Sequence, residues 1–149
     1  MFLAISRRAT RYLTCFRCQA GISAAYQKDY IDVGGSGYYQ GKGRVMFYDT
    51  KQESIVRPDK AYTGTWDSKV YGYLGYAMAS CSEKKTTATH LFVGAPRANG
   101  VKGKVDYFTY YSSPAAVSVK RLANGVDFGS YFGSSVTCGY TSKEDAIQV

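Results

Sequence analysis

Three prolines, one histidine and one tryptophan in 149 residues are the first scarcities. So few prolines leave little room for a disordered linker. No run of eighteen apolar residues occurs, which excludes a helical membrane span within this sequence. No stretch carries the 3.6-residue apolar period of a long amphipathic helix. With a lone His90, no Gly-x-Ser-x-Gly elbow and no Asp/Glu pair that stands out, catalysis finds little support. Acids are also scarce, eleven against nineteen Lys and Arg, for a net charge of +8. A basic, tyrosine-rich chain invites a nucleic-acid reading, but the cations are scattered. Only Arg7, Arg8, Arg11 and Arg17 cluster, and no RNA-binding signature or helix-turn-helix pattern is present. A solvated basic face is the simpler reading, with no nucleic acid as a partner.

What the chain does have is fifteen Tyr, seven Phe and sixteen Gly, the composition of short strands joined by tight turns. The stretch His90 to Gly100 organises the rest. Leu91 to Val93 suit a buried strand, and Gly94 and Pro96 stop it. After Asn99-Gly100, the segment from Lys102 to Tyr110 supplies a second strand, so the unit reads as a hairpin. His90 is expected at the end of its strand and Arg97 on carbonyls of the turn.

This hairpin occurs twice. Val33-Gly34-Gly35 matches Val93-Gly94-Ala95, and Lys42-Gly43-Arg44-Val45 matches Lys102-Gly103-Lys104-Val105. Tyr73-Leu74-Gly75-Tyr76 is echoed by Tyr131-Phe132-Gly133-Ser134 and more faintly around Gly21. One unit is therefore a glycine-marked strand, a loop, an apolar strand, a turn and a Gly-Lys strand, a period that suggests propeller blades.

Phe/Leu-Gly followed by Val-Gly-Ala-Pro-Arg resembles the FG-GAP repeat of the integrin alpha subunit β-propeller. Cys18-Gln19-Ala20-Gly21-Ile22-Ser23 is similar to the family's Cys-Gln-Ala-Gly-Phe-Ser, Tyr38-Tyr39-Gln40-Gly41 to its Tyr-Trp-Gln-Gly, and Tyr73-Leu74-Gly75-Tyr76 to its Tyr-Leu-Gly-Tyr. The resemblance covers residues 18–149 and implies an all-β fold: a partial β-propeller of two four-stranded antiparallel blades plus the start of a third. The order of motifs resembles the third blade, the fourth and the opening of the fifth, so the chain is expected to be a fragment. Such a piece leaves apolar blade faces uncovered, and poor solubility is expected. Residues 1–17 are expected to be an irregular N-terminal segment or gene-model remnant. Their Arg-bearing, acid-free composition resembles a transit segment more than a secretory signal.

Sites follow from the resemblance one residue at a time. Tyr38 and Tyr39 fall in the loop that, in the family, helps form the ligand cleft, although packing between blades would explain them equally. The family's cleft aspartate is not matched before Tyr73, where Val70-Tyr71-Gly72 stands and Asp67 lies earlier. Trp66 is read as a packing anchor in the connector. The family's calcium loop would place Tyr140, Ser142, Glu144 and Gln148 at its ligand positions, and only Glu144 keeps a charge. No calcium site and no other cofactor is therefore expected. Cys15 and Cys18 lack a second pair for zinc. The family's bond at Cys18 runs to a cysteine further upstream, and only Cys15 stands there, which leaves that disulfide open. Cys81 and Cys138 follow equivalent strands and read as buried thiols.

The resemblance implies a cell-surface adhesion receptor, not an enzyme. It would pair with an integrin beta subunit, bind a matrix or cell-surface protein, and reach the membrane through an anchor outside this sequence. The alternatives are the FG-GAP propeller of a secreted phospholipase-like enzyme and a tyrosine-rich module for carbohydrate or polyanions.

Overall fold

The structure is a computed structural model, and it describes residues 19–56, 71–82, 87–140 and 147–148. Segment 1–18, with Cys15 and Cys18, lies outside the described residues, as do Trp66, Asp67, Val70, Ser142 and Glu144.

Alternation of β-branched, aromatic and small residues between glycine turns gives two sheets of the same design. The first joins β1 (Ala20–Gln27), β2 (Tyr30–Gly35), β3 (Arg44–Asp49) and β4 (Ser54–Val56) in sequential antiparallel order. The second joins β5 (Ala77–Ser82), β6 (Thr89–Ala95), β7 (Lys104–Tyr110) and β8 (Ser118–Asn124) in the same way. A further antiparallel pair, β9 (Gly139–Tyr140) and β10 (Ile147–Gln148), opens a third unit. Among the described residues the helical elements are one-turn α1 (Tyr38–Gly41), one-turn α2 (Ala98–Val101) and a 3-10 turn at Pro114–Ala116. The chain is thus all-β, two consecutive blades of a partial propeller.

The two blades stack face to face. Val45 and Phe47 of β3 meet Leu91 and Val93 of β6 and Phe108 and Tyr110 of β7 in one buried cluster. Each such large side chain removed from water contributes about 1.5–3 kcal/mol, so this seam is the main source of cohesion. Tyr110 sets its ring edge-on to Phe47, with centroids 5.8 Å apart, and to Tyr30 at 6.0 Å.

The repeated glycines explain how close the blades come. Gly21, Gly75 and Gly133 share φ +86, and the residues two before them, Gln19, Tyr73 and Tyr131, also have positive φ. This backbone lays Gly75 and Gly133 each on the blade before it. A Cβ at Gly34 would stand 2.1 Å from the Gly75 carbonyl oxygen, and one at Gly94 only 1.9 Å from that of Gly133. The same pairing holds one step earlier in each unit. Leu74 N–H donates to the Lys42 carbonyl and Phe132 N–H to that of Lys102, each at 3.1 Å.

The second seam corrects one expectation. Cys81 and Cys138 are not separate thiols but a disulfide, with Cα atoms 6.3 Å apart. Because successive units stack in register, cysteines on equivalent strands of adjacent units face each other. In the first seam the corresponding place is bridged by a hydrogen bond, Ser82 Oγ to Gln27 Oε1 at 2.8 Å.

Candidate functional site

Strand direction sorts the loops onto two edges. The turns 36–43, 96–103 and 125–132 and the approach 71–76 share one rim. The turns 28–29, 50–53 and 111–117 lie at the opposite edge. The two rim turns α1 and α2 are built alike. Gly41 N–H donates to Gly37 O at 3.2 Å and Gly43 N–H to Tyr38 O at 3.0 Å, while Val101 N–H donates to Arg97 O at 3.3 Å and Gly103 N–H to Ala98 O at 2.9 Å.

Tyr38 opens α1 on this rim and is half-buried, with the Arg44 guanidinium 6.0 Å from its ring centroid. Tyr39 is the next residue of the same turn. Tyr71 and Tyr73 close over that turn from the following unit. A Cβ at Gly41 would stand 2.8 Å from a ring carbon of Tyr73 and 2.9 Å from one of Tyr71. Gly41 is therefore the residue that lets two further tyrosines reach the Tyr38 loop.

Arg97 corrects a second expectation. Its Nη1 donates to the Tyr73 hydroxyl at 3.1 Å, and its guanidinium lies 5.1 Å from that ring's centroid, not on the turn carbonyls. Its backbone N–H reaches the approach segment as well, donating to Gly72 O at 3.2 Å. The structure thus brings Tyr38, Tyr71, Tyr73, Arg44 and Arg97 to one rim. Sequence reading named Tyr38 and Tyr39 as ligand candidates and Arg97 as a turn residue, and it gave Tyr71 and Arg44 no role. The signal for Tyr71 and Tyr73 was their place directly before the Leu-Gly step that seats one blade on another.

His90 lies within β6, stacked on Tyr107 with ring planes 6° apart and its Nδ1 hydrogen-bonded to the Tyr107 hydroxyl. Tyr107 stacks in turn on Phe92. This is a packing stack on the side of the second blade that meets the third unit, away from the rim.

Asp32 was also missed. It stands on β2 with no solvent exposure, where the Tyr110 hydroxyl approaches its two carboxylate oxygens at 3.4 and 3.5 Å. Burial pushes its pKa from 3.8 up to about 7, opposed by the Tyr110 hydrogen bond. Burial, with Asp32 close by, raises the Tyr110 phenol as well. The pair lies in the first seam, beside a cleft of about 490 Å³ at the opposite edge that Tyr30, Thr89 and Tyr111 help to line. Burial thus favours the protonated form of an acid held between two blades.

No family model matches the chain. Integrin alpha-4 of Xenopus laevis is 32% identical to it over 120 residues, which are 80% of this chain and 11% of that protein. Integrin alpha-11 of Homo sapiens is 30% identical over 122 residues, 80% of this chain and 10% of that protein, and its Mus musculus counterpart is 28% identical over the same length. The chain therefore spans about a tenth of the length of the curated relatives it matches. A repeat that seats each Leu/Phe-Gly strand on the Val-Gly strand before it, aligned with integrin alpha subunits along four-fifths of the chain, makes this protein a member of the integrin alpha family.

Proposed function

We propose that this chain works as part of a cell-adhesion receptor: a propeller segment of an integrin alpha-type subunit that pairs with an integrin beta subunit and docks a matrix or cell-surface protein on its Tyr38 rim. The observation that carries the reading is the rim itself. Tyr38 and Tyr39 sit on α1, Tyr71 and Tyr73 close over it, and aromatic bodies with polar tips are the side chains that interfaces favour. Integrin alpha-4 and alpha-11, the proteins it resembles, support the receptor class. In this reading the chain carries out no chemistry, needs no calcium or other cofactor, and sits on the extracellular face of the plasma membrane. Residues 18–149 are its propeller portion, and residues 1–17 precede it in the sequence. Among the described residues no helix is long and apolar enough to cross a membrane.

The test is co-expression of the chain with an integrin beta ectodomain, followed by affinity capture of either partner. Stoichiometric recovery of both, weakened at least fivefold by a Tyr38→Ala, Tyr39→Ala double variant, is the expected result. Recovery of the chain alone, folded by circular dichroism and oxidised at Cys81–Cys138, would rule the pairing out.

A further inference from the structure

The rim is charged as well as aromatic. Among the described residues its loops carry Lys42, Arg97 and Lys102, with Arg44 opening β3 beside them, against one carboxylate, Asp127. The turns of the opposite edge carry Lys28 and Lys51 against Asp29 and Glu53, with Asp49 closing β3 beside them. The basic excess of the described chain is thus concentrated at one edge.

The two arginines are also left without carboxylates. Lys104 of the second blade is neutralised by Asp106, at 2.7 Å, with both side chains 4% exposed. Arg44 holds the equivalent place in the first blade, where Met46 stands in the position of Asp106. Its guanidinium lies near the Tyr38 ring instead. Arg97 spends one N–H on the Tyr73 hydroxyl and rests on that ring. Neither arginine forms an ion pair with a carboxylate among the described residues. Stacking on tyrosine holds a guanidinium in one plane at little further entropic cost, with its remaining donors in the fork that matches a carboxylate.

From this geometry we infer that the Tyr38–Arg44–Tyr73–Arg97 rim takes an acidic segment of a protein, the carboxylates meeting the guanidiniums while its apolar atoms lie on the tyrosines. The inference deepens the docking reading above and rests on it. Two separated arginines on tyrosine platforms, with Asp127 on the same rim, suit a few placed carboxylates better than the continuous charge of a polyanion.

The test measures fluorescence anisotropy of three labelled twelve-residue probes, Ser-Glu, Ser-Gln and Ser-Lys repeats, with the full chain at low and at 0.3 M salt. The Ser-Glu probe is expected to bind at least tenfold more tightly than the Ser-Gln probe, and more weakly in salt. Arg97→Gln and Arg44→Gln should each weaken it fivefold or more, with Arg97→Lys between, while Lys51→Gln at the opposite edge changes nothing. Circular dichroism of each variant confirms folding. Equal binding of the Glu and Gln probes, or an undiminished Arg97→Gln variant, would overturn the inference. So would equal sensitivity to Lys51→Gln together with tighter binding of heparin, which marks a polyanion surface. Failure here with intact beta-subunit capture removes only the acidic preference, whereas loss of both removes the docking reading too.

Discussion

A carboxylic acid sealed between two sheets, as Asp32 is, ties stability to pH with a sign opposite to that of the usual surface aspartate. Its folded pKa of about 7 lies above the unfolded value of 3.8, so the folded chain binds the extra proton between those limits. Stability is therefore greatest below about pH 4 as far as this group is concerned, falls as pH rises towards 7, and levels off above. Three pH units at about 1.4 kcal/mol each give an upper bound of about 4 kcal/mol. Urea unfolding midpoints between pH 4 and 8 should show this fall, and Asp32→Asn should flatten it. A wild-type profile already flat across that range would refute the assignment. Val101 is a second residue under local tension. It is β-branched at φ +66, in the place that Gly41 holds in the first blade at φ +84. Val101→Gly should raise stability by up to about 1 kcal/mol, since relief of the left-handed conformation outweighs the entropic cost of glycine. An unchanged or lower denaturation midpoint would count against it.

At the scale of elements, the contacts between successive units decide most of the energetics. Gly94→Ala would thrust a methyl group into the Gly133 carbonyl, and neither backbone can give way without parting the seam. A loss of about 1–3 kcal/mol is expected, as for other overpacked interiors, read from the urea midpoint. Gly139→Ala is the control, because a Cβ there meets nothing within 4 Å and its φ lies outside the left-handed region. The Cys81–Cys138 bond closes a loop of 57 residues, for which chain entropy gives about 4 kcal/mol. Cys138→Ala should lower stability by about 2–4 kcal/mol, and a reducing agent should act equally on wild type but not on the variant. Identical melting of oxidised and reduced wild type would show that the glycine contacts alone hold this seam.

The molecule as a whole presents one rim that is aromatic and basic, and at the second blade's end of that rim, around the turn 125–132, it is apolar. Phe128 and Val126 are each 80% exposed, with Leu122 and Phe132 also open to solvent. Such a patch on a soluble chain is a liability for self-association. Sedimentation velocity should show a mass that grows with concentration, and a Val126→Lys, Phe128→Glu double variant should sediment as a monomer. A wild-type chain that stays monomeric at all accessible concentrations would contradict this.

The hairpins, the turns and the blade repeat were legible in the residues themselves. Gly34, Gly75, Gly94 and Gly133 recur because two backbones must touch there, and a backbone contact can be written only as glycine. Tyr38 and Tyr39 were placed in a loop by their resemblance to the family's Tyr-Trp-Gln-Gly. Side-chain partners across the seams were not. Arg97 turned to Tyr73, Tyr110 to Asp32 and Cys81 to Cys138, over separations of 24, 78 and 57 residues. Local pattern sets which face of a strand a residue takes, because that depends only on its neighbours in sequence. Which residue meets it from the next blade depends on how two sheets register when they stack, and that was settled only by the packed structure.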